Sequence, residues 1–299
     1  MTAARSKLKR VVTAINGNAF VRAVKNLRNE AVDSAFQASG GRERDRFLHD
    51  FQPKHDVVVF AIAFNTPWVI DLLTAAWNKY VSDASLVVVD NSGKTGARAE
   101  HRFICEERGM HYCPLPQNFE WNPNRSHAIS MNWIYYNLVC RIRPRVFGFV
   151  DHDCFPIKPV SIATLMGENP VYGVRRESMI FQYQWYMWPG FCFYDFSRVA
   201  DSGLDFKHGY EAGTDTGGNN WFPLYSKLQA NNSAFADLRT EETIAAGSAI
   251  HEQIIGGVFN HIGGAAYRPA ILDVDKRRSL ADILWSKYIG PQQHRIVKL

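Results

Sequence analysis

Val146-Phe147-Gly148-Phe149-Val150-Asp151-His152-Asp153 is a short uncharged run that ends in two carboxylates one residue apart. Its length and its Val and Phe content suit a strand buried on both faces, as in a parallel sheet. Upstream, Val57–Phe64 is a second such run, stopped by Asn65-Thr66-Pro67. Pro67 fits the first turn of a following helix, Trp68–Tyr80. Ser85–Val89 is a third run and ends at Asp90-Asn91-Ser92-Gly93. Between these runs, Glu100–Gly109 reads as a helix, His111–Leu115 as a short strand and Arg125–Arg141 as a helix. Strands alternating with helices predict an α/β fold with a mostly parallel sheet.

In open α/β sheets ligands bind beyond the carboxyl ends of the strands. Three predicted strand ends here carry polar clusters: Asn65-Thr66, Asp90-Asn91-Ser92 and Asp151-His152-Asp153. No G-x-G-x-x-G follows the first strand, and the chain has no G-x-x-x-x-G-K-[ST]. A dinucleotide-binding Rossmann domain and a P-loop are therefore disfavoured. Two Asp carboxylates beyond a buried strand suit Mg²⁺ or Mn²⁺, hard ions that complete their shell with phosphate oxygens and water. The competing reading is that Asp151 and Asp153 cap a turn.

The order Val57–Pro67, Val87–Ser92, Asn124-Arg125-Ser126-His127 at a helix start, and Phe149–Asp153 resembles the GT-A glycosyltransferases, most of all the family-2-like group. The likeness covers roughly residues 55–270. It implies a Rossmann-like, mostly parallel sheet flanked by helices, here with an N-terminal helical extension. It also implies a nucleotide-diphosphate sugar as donor and a glycan or lipid-linked acceptor, with inverting chemistry as the family expectation. Carried over by position, Phe64, Asn65, Asp90 and Asn91 would contact the nucleoside, and Asn124 and Arg125 would lie beside it. Asp151 and Asp153 would hold the ribose–metal–diphosphate unit. Trp188-Pro189-Gly190-Phe191 resembles the segment that lines donor sugar and acceptor, so Trp188 and Gly190 join the candidates. His261-Ile262-Gly263-Gly264 resembles a late His-x-Gly motif whose His completes the metal shell; the competing reading is a structural histidine.

The remaining candidates come from the second half of the chain. Pro170–Arg176 reads as a strand, and Ser178–Tyr194 is rich in aromatic residues that can form core or stack on sugar rings. Thr214-Asp215-Thr216-Gly217-Gly218 is a glycine-rich turn carrying an acid. Asp215 is the first candidate for the base that deprotonates the acceptor hydroxyl, and Glu211 the second; the Glu-Asp pair usual in the family is absent. Turn formation is the alternative for Asp215. Arg268 and His251 are further candidates for diphosphate contact. Leu280–Tyr288 reads as a charged helix.

The net charge of +5 is uneven. Residues 1–30 hold Arg5, Lys7, Lys9, Arg10, Arg22, Lys25 and Arg28 against Glu30 alone, which makes that segment +6 and leaves the remainder at −1. No basic stripe follows along the body, so nucleic acid is not an expected partner. Leu8, Val11, Val12 and Ile15, and then Phe20, Val21, Val24 and Leu27, give two short amphipathic helices separated by Asn16-Gly17-Asn18. A basic amphipathic pair over residues 5–29 can lie on an anionic membrane surface or pack on the body. Gln37–Arg46 reads as a linker. The expected divisions are 1–50 as basic extension, 51–272 as catalytic domain and 273–299 as helical tail. Five cysteines without a C-x-x-C pair argue for a reducing compartment. No signal peptide or spanning segment is visible, so the expected place is the cytoplasm, free or peripheral on the inner membrane face. Two other classes stay open: a nucleotidyltransferase on a related sheet, and a non-catalytic carbohydrate-binding protein.

Overall fold

The structure is a computed structural model that describes residues 19–228, 234–266, 273–291 and 293–297. Two helices lead into the body, α1 (Ala19–Ala38) and α2 (Gly41–Asp50). Then β1 (Val57–Ala63), α3 (Pro67–Tyr80), β2 (Ser85–Asp90), α4 (Thr95–Arg108), β3 (His111–Pro114), α5 (Pro123–Ile134) and β4 (Val146–Asp151) alternate. These strands order as β3-β2-β1-β4 and pair in parallel. β6 (Val171–Glu177) and β7 (Trp185–Asp195) extend the sheet, β7 antiparallel to both β4 and β6, and the two-residue β8 (Ala234–Phe235) closes a seven-stranded, mostly parallel sheet. The α/β expectation holds.

Every residue of β1 and β2 is buried, because helices cover both faces of the sheet. One core lies under α3, where Val57, Val59 and Ala61 meet Val69, Leu72 and Leu73. The other lies under α5, where Val58, Phe60 and Phe149 meet Trp133, Tyr135 and Leu138. Each such side chain removed from water contributes about 1.5–3 kcal/mol before entropy is counted. Pro67 stands at the start of α3 as its fixed φ favours. Asn122 caps α5, its side chain accepting from Arg125 N, with Pro123 in the first turn. The single helix expected over Arg125–Arg141 widens into a π turn at Tyr135–Val139 before Cys140–Ile142.

The Gln37–Arg46 linker is a correction. Only Ser39-Gly40 interrupts the helices, and α2 already begins at Gly41. Gly40 turns the chain at φ 76°, and a Cβ there would lie 3.1 Å from Pro116. The segment reads as polar because α2 turns only Phe47 fully inward, where it joins Phe36 of α1 in the core beneath α5. The first predicted arm helix, around Leu8–Ile15, lies outside the described residues, and the second, Phe20–Leu27, belongs to the longer α1.

A second, antiparallel sheet orders β5 (Cys154–Pro156), β11 (Phe259–His261), β10 (Ser248–Ile255) and β9 (Leu238–Ala245). The apolar run Ile254–Phe259 folds back on itself at Gly256-Gly257, φ 56° and 70°, the left-handed pair a tight hairpin turn requires. The C-terminal helix α6 (Val274–Leu284) packs Leu280 and Leu284 on the core under α3. Among the described residues no helix is long and apolar enough to cross a membrane.

Candidate active site

The carboxyl ends of the parallel strands open into one cleft of about 890 Å³. Asp151 ends β4, and β7 runs beside it in register Val150↔Phe191, which places Gly190 and Trp188 against its carboxylate. A Cβ on Gly190 would lie 2.5 Å from Asp151 Oδ2 and 2.2 Å from the Trp188 ring, so only glycine lets these two sit together. Asp153 follows two residues on, immediately before β5. There the antiparallel pairing Cys154↔His261 brings in a histidine from the far end of the chain.

The ligand atoms of Asp151, Asp153 and His261 lie within 4.8 Å of one another. His261 Nε2 is 3.3 Å from Asp153 Oδ1 and 3.7 Å from Asp151 Oδ2. Its Nδ1 faces Gln253 Oε1 at 2.9 Å. With the proton on Nδ1, donated to Gln253, the Nε2 lone pair points at two carboxylates. Three acceptors then converge, an arrangement a divalent cation satisfies. The other oxygen of Asp153 is held by Ala265 N at 3.0 Å, and the Trp188 ring packs 4.7 Å from the imidazole. Burial alone would raise the Asp153 carboxyl; when His261 also carries a proton on Nε2, its charge and hydrogen bond outweigh burial and hold that carboxyl well below the usual range. The donor set fits Mn²⁺ or Mg²⁺.

Phe64, Asn91, Asn124, Asp151, Asp153, Trp188 and His261 all line this cleft. Asn91 donates its amide to Ser126 Oγ at 3.0 Å, and its buried Oδ1 has no protein partner. Asn65 faces a smaller hollow beside Lys94, with left-handed backbone, φ 52°. Arg125 is spent on Asp33, 2.7 Å, and Glu120, 3.2 Å. His251 is exposed on β10, beside Glu242, and Arg268 lies outside the described residues.

Asp90 sits beneath the cleft rather than on its surface. It is fully buried, and Ser92 N, Tyr112 OH and His101 Nδ1 all point at its carboxylate, at 2.8, 2.9 and 3.0 Å. Burial would raise this carboxyl, but the hydrogen bond and charge of His101 and the bonds from Ser92 hold it below the usual range. A lowered pKa stabilises the fold above the unfolded value of about 3.9, and that contribution is lost as pH falls through the folded value. Asp90→Asn, which turns an amide donor toward Tyr112 or His101, is expected to lower stability by about 1–3 kcal/mol at neutral pH. Urea unfolding should show the gap to the parent protein narrowing at pH 3.

Asp215 and Glu211 lie in the loop after β7. Glu211 is exposed in the short 3₁₀ turn Tyr210–Ala212. Asp215 is also exposed, and its Oδ1 is held by His208 Nε2 at 3.0 Å and Thr216 N at 2.8 Å. The His208 hydrogen bond, against a smaller burial effect, holds this carboxyl below its ordinary value, with charge from His127 acting the same way. His127 in turn lines the cleft 3.8 Å from Asp151 Oδ1.

The sequence reading missed a fourth strand end. The loop after β3 carries Gln117, Asn118, Glu120 and Trp121 into the cleft wall. The available signal was the polar, aromatic run Gln117–Asn124 directly after His111–Leu115. Glu120 fixes this loop from below: its carboxylate accepts from Arg28, Arg125 and Asn122 N.

No protein-family profile matches the chain, and no curated protein does. Among solved structures it is similar to S. aureus TarS 1–349 in complex with UDP-GlcNAc (13% identity, TM-score 0.37, 60% of this chain and 55% of that one). It is also similar to the mannosyltransferase PcManGT of Pyrobaculum calidifontis in complex with GDP-Man and Mn²⁺ (11%, 0.35, 63% and 59%). A third is glucosyl-3-phosphoglycerate synthase of Mycobacterium tuberculosis (12%, 0.38, 66% and 74%). The match spans 32% of a longer TarS chain and 40% of WbbM. All these TM-scores lie below 0.5, so what the cleft does is taken from its own residues.

Proposed function

We propose that this protein is a metal-dependent glycosyltransferase, which moves a sugar from a nucleoside-diphosphate donor to a hydroxyl of a glycan or lipid-linked acceptor. The observation that carries the reading is the convergence of Asp151, Asp153 and His261 in a cleft whose other wall is made by the ends of β1 and β2. Such a donor has two unlike parts. Its diphosphate is anionic and suits the metal-ligand side, whereas its nucleoside is neutral and suits the Phe64, Asn91 and Ser92 wall.

Asp151, Asp153 and His261 would hold the divalent cation, which when bound supplies Lewis-acid stabilisation of the departing diphosphate. Gln253 orients the His261 ring, and Ala265 N orients Asp153. Trp188 lines the cleft beside His261 and would offer a flat apolar face to a sugar ring. Asp215 is the base in this reading: it accepts the proton of the attacking acceptor hydroxyl as the bond to the anomeric carbon forms and that to the diphosphate oxygen breaks, with inversion. Glu211 is the second candidate for this role.

The test is a thermal-shift panel of UDP, GDP, CDP and dTDP, each with Mn²⁺, Mg²⁺ or EDTA. Ligand bound only to the native state adds about 2.7 kcal/mol of apparent stability at a hundred times its Kd. One nucleotide is expected to raise the midpoint with metal and not with EDTA. Glycan binding indifferent to EDTA, with no nucleotide response, would replace this reading by a non-catalytic carbohydrate-binding one. Pyrophosphate release from a nucleoside triphosphate would make the protein a nucleotidyltransferase.

A further inference from the structure

We infer that the exposed face of α1, together with the Phe119–Trp121 loop that it anchors, docks on an anionic lipid bilayer. Val24 and Leu27 of α1 are 49% and 67% exposed, and Phe20 and Ala31 lie on the same side of the helix. Positions 20, 24, 27 and 31 follow the spacing of a single helical stripe. The helix meets the body through other positions: Phe36 is buried in the core, and Asp33 bonds Arg125. Val24, Leu27 and Ala31 are therefore left outside the contact between α1 and the body.

Arg28, one residue past Leu27, pairs with the buried Glu120 at 2.7 Å. The two neighbours of Glu120 flank that contact as exposed aromatics, Phe119 at 74% and Trp121 at 82%. The stripe and the aromatic pair thus belong to one ion-paired unit. Aromatic residues of this kind partition to the headgroup level of a bilayer. Charge selects the occupant: residues 1–30 are +6 in a chain whose remainder is −1, which complements an anionic surface and not a neutral one. Trp121 also lines the cleft, so a docked protein presents the cleft mouth at the lipid surface.

The full chain is mixed with vesicles of phosphatidylcholine alone, or with about one third phosphatidylglycerol, and sedimented without nucleotide or metal. Sedimentation is expected with anionic vesicles only, and raised salt should release the protein. The double variant Val24→Ser, Leu27→Ser should lower the bound fraction at least fivefold at an unchanged thermal midpoint, since both side chains are exposed. The vesicle-induced blue shift of tryptophan emission should shrink in Trp121→Phe. Failure to sediment, or equal sedimentation of the double variant, overturns the inference. So does a dimer in lipid-free buffer that the double variant dissociates, because the face is then a self-interface. The assay contains no donor, so its failure is separate from failure of the glycosyltransferase reading.

Discussion

Asp153→Ala is expected to reduce turnover of a nucleotide-sugar donor by at least about 10²–10³-fold, the usual penalty for removing one preorganised electrostatic group from an active site. The side chain is almost completely buried, with one oxygen on Ala265 N and the other 3.3 Å from His261 Nε2. Removing it takes away a metal ligand and also leaves a buried N–H unpaired, which costs about 1–3 kcal/mol. Asp153→Asn separates the two effects. The amide oxygen can still accept from Ala265 N, so the fold should hold while the charge at the ligand set is lost. Calorimetric titration with Mn²⁺ should show weakened binding in both variants, and circular dichroism should show a folded Asn variant. An Asn variant that unfolds would make Asp153 a structural residue, and one that turns over normally would remove it from the metal site.

Asp215→Asn should leave the nucleotide-dependent thermal shift intact and lower transfer by about 10²–10⁴-fold, the range for loss of a general base. Asn keeps the shape of the side chain and an acceptor for Thr216 N, which donates to Asp215 Oδ1 at 2.8 Å. It cannot take a proton. The hydrogen bond from His208 holds the Asp215 carboxyl below its ordinary value, so it is ionised throughout the neutral range. The sign follows: activity dependent on this base falls only as pH drops below the ordinary carboxylate range, and Asp215 contributes no acid limb between pH 5 and 7. Initial rates across that interval, together with the Asn variant, check both statements. Near-normal transfer by Asp215→Asn would move the base to Glu211, exposed in the neighbouring turn.

These two residues differ in how far the sequence exposed them. Asp153 follows an apolar run whose burial is evident from composition, and the carboxyl end of such a strand faces the cleft because parallel strands run in one direction and so end on one side of the sheet. The same reasoning placed Asn91 and Asp151 there, whereas Asn65 faces a smaller hollow and Phe64 before it lines the cleft instead. Asp215 lies in a glycine-rich loop with no periodicity. Its neighbour His208 came from the packing of that loop on itself.

Asp90 shows the limit of the local reading. It ends a buried strand as Asp151 does, yet it points below the cleft. His101 of α4 and Tyr112 of β3 close on it there. Within Val87–Ser92 only Ser92 N bonds the carboxylate, and the other two partners are side chains from two other elements. Glu120 was hidden for the same reason: its partners are Arg28 of α1 and Arg125 of α5. Polar composition likewise concealed α2, whose inward face is little more than Phe47.

The sequence by itself determined the alternation of strands and helices, the parallel core and the acidic strand end, because burial on two faces leaves an unmistakable apolar run of strand length. Only the tertiary structure decided that His261 faces Asp151 and Asp153, because the pairing of Cys154 with His261 joins two segments from opposite ends of the body. A strand's local pattern specifies which of its faces is buried, but not which distant strand will lie beside it.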